Sequence, residues 1–383
     1  MTRVSIAKTK KNLVAAVGKA IDLIGEKLII PGDCVLIKPN LVELANPDSG
    51  EITTPWLIEG VARYCLECGA RRVIIGEGPS YYQPQSHLRK CFTHTGVSEV
   101  AERLGIEWVL FDEHNYRTFH GVPGCTPEQF RITKFAFSCD KFINLPVLKT
   151  HYLTTVTLAM KNLKGCLKRE DKPLFHHWDL NQAIVELCKI IRPSINIIDC
   201  TAETVVRQLG TGYSYEKQGG YGVILTSADI VAVDVVGSVL MGVDPAEVRT
   251  VSLGTAAGLG EGNLAQIDIV GNELKRLKFK VKLPKELLHQ SFPLLEIIGA
   301  DKACSGCLIP LLSGLMLLRE QGTDLESPLV ICLGNEPEAP EGKELLWIGD
   351  CALDGHKDRT NSVGGCPPDR KELLTGLIDI MTK

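Results

Sequence analysis

Four cysteines near the C-terminus could bind a metal centre. Cys304 and Cys307 form a C-x-x-C pair, Cys351 follows at a longer spacing, and Cys366 lies in a Gly-Gly-Cys-Pro-Pro segment. Thiolates are soft ligands that select iron–sulfur clusters or zinc over hard cations. Structural zinc sites usually contain two pairs of ligands that are closely spaced in the sequence, and only one such pair is present here. The spacing therefore predicts a [4Fe–4S] cluster at these four cysteines, with zinc as the alternative.

A second group of residues could bind an anion. Lysines and histidines are concentrated between residues 149 and 177, where the only acids are Glu170 and Asp171. Ammonium groups held together cost free energy unless an anion compensates them. We therefore expect a phosphate, a carboxylate or an anionic cofactor there, and the alternative is a solvated, charged helix face. The predicted ligand-binding residues are Lys38, Asn40, Lys161, Asn162, Lys164 and Lys172, and the predicted catalytic residues are Lys149, His151 and His176.

Specific roles follow from the chemistry of these side chains. His151 or His176 is the expected general acid, because imidazole titrates near neutral pH. Lys38 and Asn40 would fix the orientation of the ligand. The acids Asp199, Glu203 and Asp234 follow or lie within apolar segments and could accept protons or bind an ion; for Asp234 a purely structural role is equally expected.

Buried strands that end in polar residues must position this chemistry. Apolar runs lead into Lys38, Glu77, Lys149 and Asp199, with helical patterns between them. Strands alternating with helices predict a parallel sheet, and open sheets of this kind bind ligands beyond the carboxyl ends of their strands. The expected fold class is α/β, a mostly parallel doubly wound sheet with a smaller C-terminal α/β cysteine-rich region.

The domain organisation is predicted as two units, residues 1–290 and residues 291–383, with the change between residues 284 and 298. Leucines at helical spacing after Cys307 place the C-x-x-C pair at the start of a helix. Lysines alternate with apolar residues over 275–285, which favours an exposed edge strand. The glycine-rich stretch 210–220 is expected to be an irregular surface loop, with a flexible lid as the alternative.

Composition excludes several classes of protein. The 383 residues carry a net charge of −4, which argues against a general nucleic-acid binder. Without an apolar N-terminal leader or a long apolar run, neither secretion nor a membrane is expected, and the location is predicted to be cytoplasmic. A reducing cytosol argues against disulfides as the role of the fourteen cysteines. Core packing is predicted for Cys34, Cys91, Cys139, Cys188, Cys200 and Cys332.

Several short motifs occur in order along the chain. They are Lys38-Pro39-Asn40, Thr53-Thr54-Pro55, Gly76-Glu77-Gly78-Pro79, Leu148-Lys149-Thr150-His151, Met160-Lys161-Asn162-Leu163-Lys164-Gly165, Lys172-Pro173 with His176, and Asp229 with Asp234. In this combination the chain resembles, over residues 35–241, the uncharacterised family catalogued as domain of unknown function 362. Many members carry a ferredoxin-like insert with C-x-x-C-x-x-C-x-x-x-C-P runs, which implies iron–sulfur electron transfer. This chain lacks such a run, so the four C-terminal cysteines would serve instead and at most one cluster is expected.

Three functions are consistent with these residues. The first is an iron–sulfur oxidoreductase or electron-transfer protein that acts on an anionic small molecule and exchanges electrons with a partner protein. The second is a non-redox anion-binding module or scaffold with a structural zinc or cluster. The third is a lyase whose cluster acts as a Lewis acid and needs only three of the four cysteines, with Cys332 as a spare thiol. The substrate and the oligomeric state do not follow from the sequence.

Overall fold

The computed structural model describes residues 1–9, 12–41, 43–81, 83–84, 86–202, 221–278, 280–354 and 360–382. Its strands are β1 (Arg3–Lys8), β2 (Cys34–Pro39), β3 (Arg72–Glu77), β4 (Glu107–Leu110), β5 (Tyr116–His120), β6 (Gln129–Thr133), β7 (Lys141–Leu145), β8 (Lys149–His151), β9 (Thr155–Thr157), β10 (Ile195–Cys200), β11 (Val223–Ser227), β12 (Asp268–Gly271), β13 (Leu295–Ile298), β14 (Leu329–Cys332), β15 (Glu344–Ile348) and β16 (Ser362–Val363). Its α-helices are α1 (Leu13–Ile24), α2 (Pro55–Glu67), α3 (His87–His94), α4 (Val97–Leu104), α5 (Phe135–Ser138), α6 (Ala159–Asn162), α7 (Leu180–Ile190), α8 (Ile230–Leu240), α9 (Arg249–Ala256), α10 (Pro284–Ser291), α11 (Ser305–Glu320), α12 (Asp350–Leu353) and α13 (Arg370–Met381). Glu203 and the stretch 210–220 lie outside the described residues.

An eight-stranded sheet forms the centre of the larger part of the molecule. Its strand order is β12-β1-β11-β10-β7-β2-β3-β4. All neighbours are parallel except β11, which runs antiparallel to both β1 and β10. The prediction of a mostly parallel sheet in an α/β fold is therefore confirmed.

Both faces of this sheet are buried, because side chains alternate between two hydrophobic cores. In β2, Val35 and Ile37 pack with residues of α1 and α2 on one face, whereas Leu36 packs with residues of α7 and α8 on the other. Apolar residues occupy nearly every position of the central strands for this reason, and helices cover both faces as in a doubly wound fold.

A smaller parallel sheet lies in the C-terminal part, with strand order β13-β14-β15-β16. Helices α11 and α13 pack together against it and share one hydrophobic core that begins at Leu288. Tyr152 and Leu153, from the connection between β8 and β9, pack against that core. The connection between β8 and β9 thus joins the first sheet's ligand edge to the cysteine-bearing region.

The predicted edge strand over residues 275–285 is wrong. The described residues of this stretch contain a 3-10 turn, Leu274–Arg276, and then the start of α10 at Pro284. Val281 is buried against the main core and its amide donates to the Met241 carbonyl. An irregular extended segment that crosses a core alternates apolar and charged residues just as an edge strand does, so the period of two could not separate them. Among the described residues, no helix combines the length and apolarity needed to cross a bilayer.

Candidate functional site

One cavity brings together every predicted ligand-binding and catalytic side chain. It has a volume of about 130 Å³ and lies beyond the carboxyl ends of β2, β3 and β7. Its lining includes Lys38, Asn40, Lys149, His151, Lys161, Asn162, Lys164, Lys172 and His176, together with Glu77, Pro79, Ser80, Tyr81, Thr157, Gly165 and Ile309. We call this the lysine cavity. Segments up to 271 residues apart (Lys38 and Ile309) therefore contribute to one surface.

A buried ion pair forms its floor. Lys38 is the fifth residue of β2 and Glu77 the last residue of the neighbouring β3; the Lys38 Nζ lies 2.9 Å from a carboxylate oxygen of Glu77. Both side chains are fully buried. Lys38 also donates to the Pro39 carbonyl, so its charge is well compensated. This lysine is therefore part of the scaffold rather than the ammonium group most available to a ligand.

A chain of buried amides continues from the ion pair across the sheet. Asn40 donates to the side-chain oxygen of Asn162 at 3.0 Å, and Asn162 donates to Asn144 at 2.9 Å. Asn144 in turn donates to Asn196 on the neighbouring strand. Because buried amides need partners, these bonds fix the rotamers of Asn40 and Asn162. Asn40 also accepts from Lys149, which holds that ammonium at the cavity edge.

Asp234 has a structural role at the start of α6. Its carboxylate accepts from the amides of Ala159 and Met160, at 2.7 and 3.1 Å, and burial raises its pKa to about 7. This contact caps the short helix and the following 3-10 turn, which carry Lys161, Asn162 and Lys164. Asp234 does not line the lysine cavity. The contacts of Asp234 therefore fit the structural role, that of a buried carboxylate with hydrogen-bond partners, and not the role of a site group.

Asp199 is likewise occupied by structural contacts. It accepts from the backbone amide and hydroxyl of Thr54, at 2.7 and 2.8 Å, and from Thr201. Burial raises its pKa. Thr54 begins α2 as expected from its Thr-Pro sequence, but its hydroxyl binds Asp199 instead of capping the helix. Asp199 does not line the lysine cavity, so its contacts do not support the predicted role as a proton acceptor or ion ligand.

The remaining lysines of the cavity have fewer partners. Lys149 donates to the Glu51 carbonyl at 2.7 Å, Lys172 to the Pro79 carbonyl at 2.5 Å, and Lys161 to the Thr157 hydroxyl at 3.4 Å. Burial lowers the pKa of Lys149 and of Lys172 to about 8 and that of Lys161 to about 7. For Lys161, the charge of Lys149 adds to the effect. Much of their hydrogen-bonding capacity thus remains for a ligand.

Lys164 and His176 form the closest contact between two bases. The Lys164 Nζ lies 2.5 Å from the His176 Nε2. Burial lowers the pKa of both groups well below their usual values, and neighbouring lysines lower them further. At this distance a proton can pass directly between the Lys164 amine and the His176 imidazole.

The tautomer of His151 is set by its backbone surroundings. The amides of Leu153 and Thr154 donate to its Nδ1, at 3.1 and 3.3 Å. The pKa of His151 is lowered well below its usual value, first by burial and then by Lys161 and other cations. A neutral imidazole whose Nδ1 accepts must carry its proton on Nε2. His151 can therefore donate one hydrogen bond from Nε2.

The charge of the cavity favours an anion. Five lysines line it, and Glu77 is the only carboxylate among its lining residues, where it is already paired with Lys38. Lys161, Lys164 and Lys172 consequently face the cavity without a carboxylate partner in the lining. An anion between them would replace the repulsion of like charges by attraction in a site of low dielectric constant.

The four C-terminal cysteines surround a second cavity, of about 120 Å³. Cys304 is the N-cap of α11, Cys307 lies in its first turn, and Cys351 lies in α12. Asp350 Oδ1 accepts from the Gly365 amide at 2.6 Å and so holds the segment before Cys366 against α12. The lining is completed by residues that include Tyr81, Pro173, His177, Lys302 and Pro367. We call this the cysteine cavity.

The thiols of this cavity are not equivalent. The pKa of Cys304 is lowered to about 5, first because the Cys307 thiol donates to it, then because of the nearby Tyr81 hydroxyl and the amides at the start of α11. The pKa values of Cys307, Cys351 and Cys366 are raised. Gly349 fits closely here, because a Cβ on it would lie 2.7 Å from the Cys307 sulfur. In the described part of the chain, no three His, Cys, Asp or Glu side chains are arranged to hold one metal ion.

Tyr81 lies between the two cavities and lines both. Its ring centroid is 6.3 Å from that of His176, and its hydroxyl lies beside Cys304. Arg169 donates to the carbonyls of Tyr81 and Gln83, which holds the loop after β3 in place. Ile309 of α11 also reaches the lysine cavity. The two predicted sites are therefore adjacent.

Sequence reasoning missed three residues of this arrangement. From the sequence, Glu77 is only the polar end of a strand, Gly165 is only part of a motif, and Tyr81 has no role, although all three line the lysine cavity. A Cβ on Gly165 would lie 2.3 Å from Glu77 and 2.5 Å from Lys38. A glutamate that ends a buried strand next to one ending in lysine was the available signal for the ion pair. Nothing in the sequence marked Tyr81.

The other cysteines lie apart from the cysteine cavity. Cys332 is buried in a small core with Val330 and Trp347, which does not fit a spare ligand. Cys91, Cys188 and Cys200 are buried as expected for core packing. Cys34 is buried as well, whereas Cys139 is partly exposed and its sulfur lies 3.4 Å from that of Cys34.

Comparison with known proteins gives a family and two likenesses. The family model described as "Domain of unknown function (DUF362)" matches residues 35–238. The chain is 28% identical over 274 residues to the thylakoid-associated protein sll1697 of Synechocystis sp. (strain ATCC 27184 / PCC 6803 / Kazusa), a match that covers 70% of this chain and 78% of that protein. The lactate racemase apoprotein from Thermoanaerobacterium thermosaccharolyticum superposes with a TM-score of 0.42 and 10% identity, over 100% of this chain and 82% of that one. A likeness this weak says nothing about the chemistry of the site.

Proposed function

The chain belongs to the family defined by the domain of unknown function DUF362, and because that domain has no assigned reaction, we propose a function from the two cavities: an iron–sulfur oxidoreductase or electron-transfer protein that acts on an anionic small molecule. The lysine cavity would hold the anion, and the four cysteines would hold a [4Fe–4S] cluster. When bound, the cluster would supply single electrons. The observation that carries the proposal is that Tyr81 lines both cavities.

The spacing of the four cysteines favours a cluster over a zinc ion. Their thiols surround a common cavity, and only one pair of them is closely spaced in the sequence, whereas structural zinc sites usually have two such pairs. Four thiolates could each bind a different iron of a cubane cluster. The low pKa of Cys304 supplies a thiolate for either.

The lysine cavity supplies the remaining functions from the chain itself. Lys161 and Lys172 would bind the anion, since they lack carboxylate partners in the lining, and Lys164 lines the same cavity. His151 would donate a proton from Nε2, because its Nδ1 accepts two backbone amides. The Lys38–Glu77 pair, Asn40 and Asn162 would hold these groups in position. Lys149 would add positive charge at the edge.

An electron-transfer partner would approach from the side of Cys366. This is the exposed member of the four cysteines, whereas Cys307 is buried and Cys304 and Cys351 are partly exposed. Short distance from the surface favours exchange with another protein. The predicted cytoplasmic location remains a prediction.

The test is anaerobic purification followed by an absorbance spectrum and analysis of iron, sulfide and zinc. A brown protein with about four irons per chain is the expected result for one cubane cluster. Addition of sulfate should then perturb the spectrum, because Tyr81 lines both cavities and an anion in the lysine cavity would lie close to the cluster. A colourless protein with one zinc per chain would overturn the redox proposal and favour an anion-binding module with a structural ion.

A further inference from the structure

We propose that Lys164 is a nucleophile that forms an imine with the carbonyl carbon of the ligand, so that the lysine cavity takes a carboxylated aldehyde or ketone such as a 2-oxo acid. The juxtaposition that carries this inference is a lysine within 2.5 Å of a histidine, inside a cavity lined by further lysines. The inference rests on the anion-binding half of the proposed function and requires no metal centre.

The surroundings of Lys164 keep its amine reactive. An amine attacks a carbonyl only when it is unprotonated, and burial together with nearby cations favours that form. Lys161 and Lys172 are these cations, and no ion pair joins Lys164 to a carboxylate in the described part of the chain. The charge of Cys304 raises the pKa of Lys164, but this effect is weaker than those of burial and the two lysines. Lys164 keeps some accessible surface and lines the cavity, so a ligand can reach its nitrogen.

His176 provides the proton transfers that imine formation needs. The Lys164 nitrogen adds to the carbonyl carbon, and one proton of that nitrogen passes through His176 Nε2 to the carbonyl oxygen, which gives a carbinolamine. The second proton of the nitrogen follows the same route to the hydroxyl group, which leaves as water and so gives the imine. One C–N double bond replaces one C–O double bond, and no oxidant or reductant is consumed.

The rest of the cavity selects for a carboxylate next to the carbonyl. Among the described residues, Lys161 donates to the Thr157 hydroxyl at a long distance and Lys172 donates to the Pro79 carbonyl, so both retain further N–H donors. His151 carries its proton on Nε2. These donors would bind the carboxylate while Lys164 faces the carbonyl carbon. Lys161 is the less suitable nucleophile, because among the described residues it hydrogen-bonds to the Thr157 hydroxyl and not to a base.

The experiment traps the imine by reduction. The full-length protein, purified anaerobically, is incubated with pyruvate and sodium cyanoborohydride, and the labelled residue is identified by peptide mass spectrometry. We expect one reduced pyruvate adduct, on Lys164. The adduct should be lost in Lys164→Arg, which keeps a cation but removes the amine. Lys168→Arg is the matched control, because Lys168 lies outside the cavity lining and pairs with Glu170.

Two further comparisons separate the outcomes. Acetone lacks the carboxylate and should give little adduct, and sulfate should compete with pyruvate. No adduct while sulfate still binds would overturn the imine but leave the anion site standing. No adduct and no sulfate binding would overturn both. An adduct on Lys161 or on surface lysines would also overturn the assignment. Circular dichroism of each variant establishes that a lost adduct does not reflect an unfolded protein.

Discussion

The ammonium group of Lys38 and the carboxylate of Glu77 lie 2.9 Å apart, and their side chains are 0% and 1% exposed. Lys38 is the penultimate residue of β2 and Glu77 the last residue of the neighbouring parallel strand β3, so the sheet itself sets their separation. Removing one partner of a buried pair leaves the other charge without compensation. The ion pair thus ties the stability of the main sheet to the floor of the lysine cavity.

Replacement of Glu77 by Gln should destabilise the protein strongly. We expect the free energy of unfolding to fall by about 3–5 kcal/mol, as for other broken buried pairs. Urea denaturation followed by circular dichroism measures the change. Glu107→Gln is the control, since Glu107 pairs with Arg72 where both side chains are about half exposed. That variant should lose less than about 1 kcal/mol. Equal, small losses in both variants would contradict the role assigned to the buried pair.

Gly165→Ala should disturb the same ion pair from the other side. Its Cβ would lie 2.3 Å from Glu77 and 2.5 Å from Lys38, closer than atoms can approach. We expect a loss of about 1–3 kcal/mol in the free energy of unfolding and weaker sulfate binding, because the floor of the cavity must shift. Denaturation and calorimetric titration test the two effects.

Gly18→Ala provides the comparison for that substitution. Gly18 lies inside α1, where the added Cβ would meet Tyr64 at an ordinary 3.4 Å. Alanine is the better helix former by about 1 kcal/mol, so this variant should be neutral or more stable. If both alanine variants behaved alike, the close approach of Gly165 would have no energetic consequence.

Sulfate should bind more weakly as the pH rises. Burial lowers the pKa of Lys161 to about 7 and that of Lys149 and Lys172 to about 8, so these groups lose positive charge through that range. Sulfate keeps its charge over this range, so a change in affinity with pH reports the titration of the protein alone. Calorimetry from about pH 6.5 to pH 9 should show falling affinity and proton uptake on binding. An affinity independent of pH would contradict the assignment of these lysines to the anion site.

The stability of the ligand-free protein should change in the opposite direction. Between the lowered pKa values and the ordinary lysine value near 10.5, the unfolded chain binds more protons than the folded protein. The free energy of unfolding therefore rises with pH through this window. Lys161→Gln should reduce the slope, because Lys161 has the lowest pKa of the three lysines. Thermal unfolding in buffers without multivalent anions measures the effect.

Loss of one cysteine of the cysteine cavity should abolish the metal centre. Cys351→Ser and Cys366→Ser should each lower the iron and sulfide content towards zero and remove absorbance near about 400 nm. The control is Cys68→Ser, because Cys68 is also partly exposed but lies at the end of α2, away from this cavity. Iron content unchanged in Cys351→Ser would favour a three-ligand site and so the Lewis-acid alternative.

Much of the fold could be predicted from local pattern. Apolar runs that end in polar residues predicted the central strands, and the helix after Cys307 followed from leucine spacing. The prediction of an edge strand over residues 275–285 was wrong, because alternation of apolar and charged residues does not distinguish an edge strand from an irregular segment that packs on a core. The antiparallel direction of β11 was not foreseen either.

The residues of the anion site could likewise be predicted from the sequence, because a segment rich in lysine and histidine but poor in acids is unusual and indicates an anion. Only the tertiary structure decided which groups meet. Glu77 pairs with Lys38 across 39 positions of chain, Asp234 caps the turn of Lys161, and Tyr81 joins the lysine cavity to Cys304. The physical reason is that burial, partner and pKa depend on what packs around a side chain, and sheet order brings distant segments together independently of their separation along the chain.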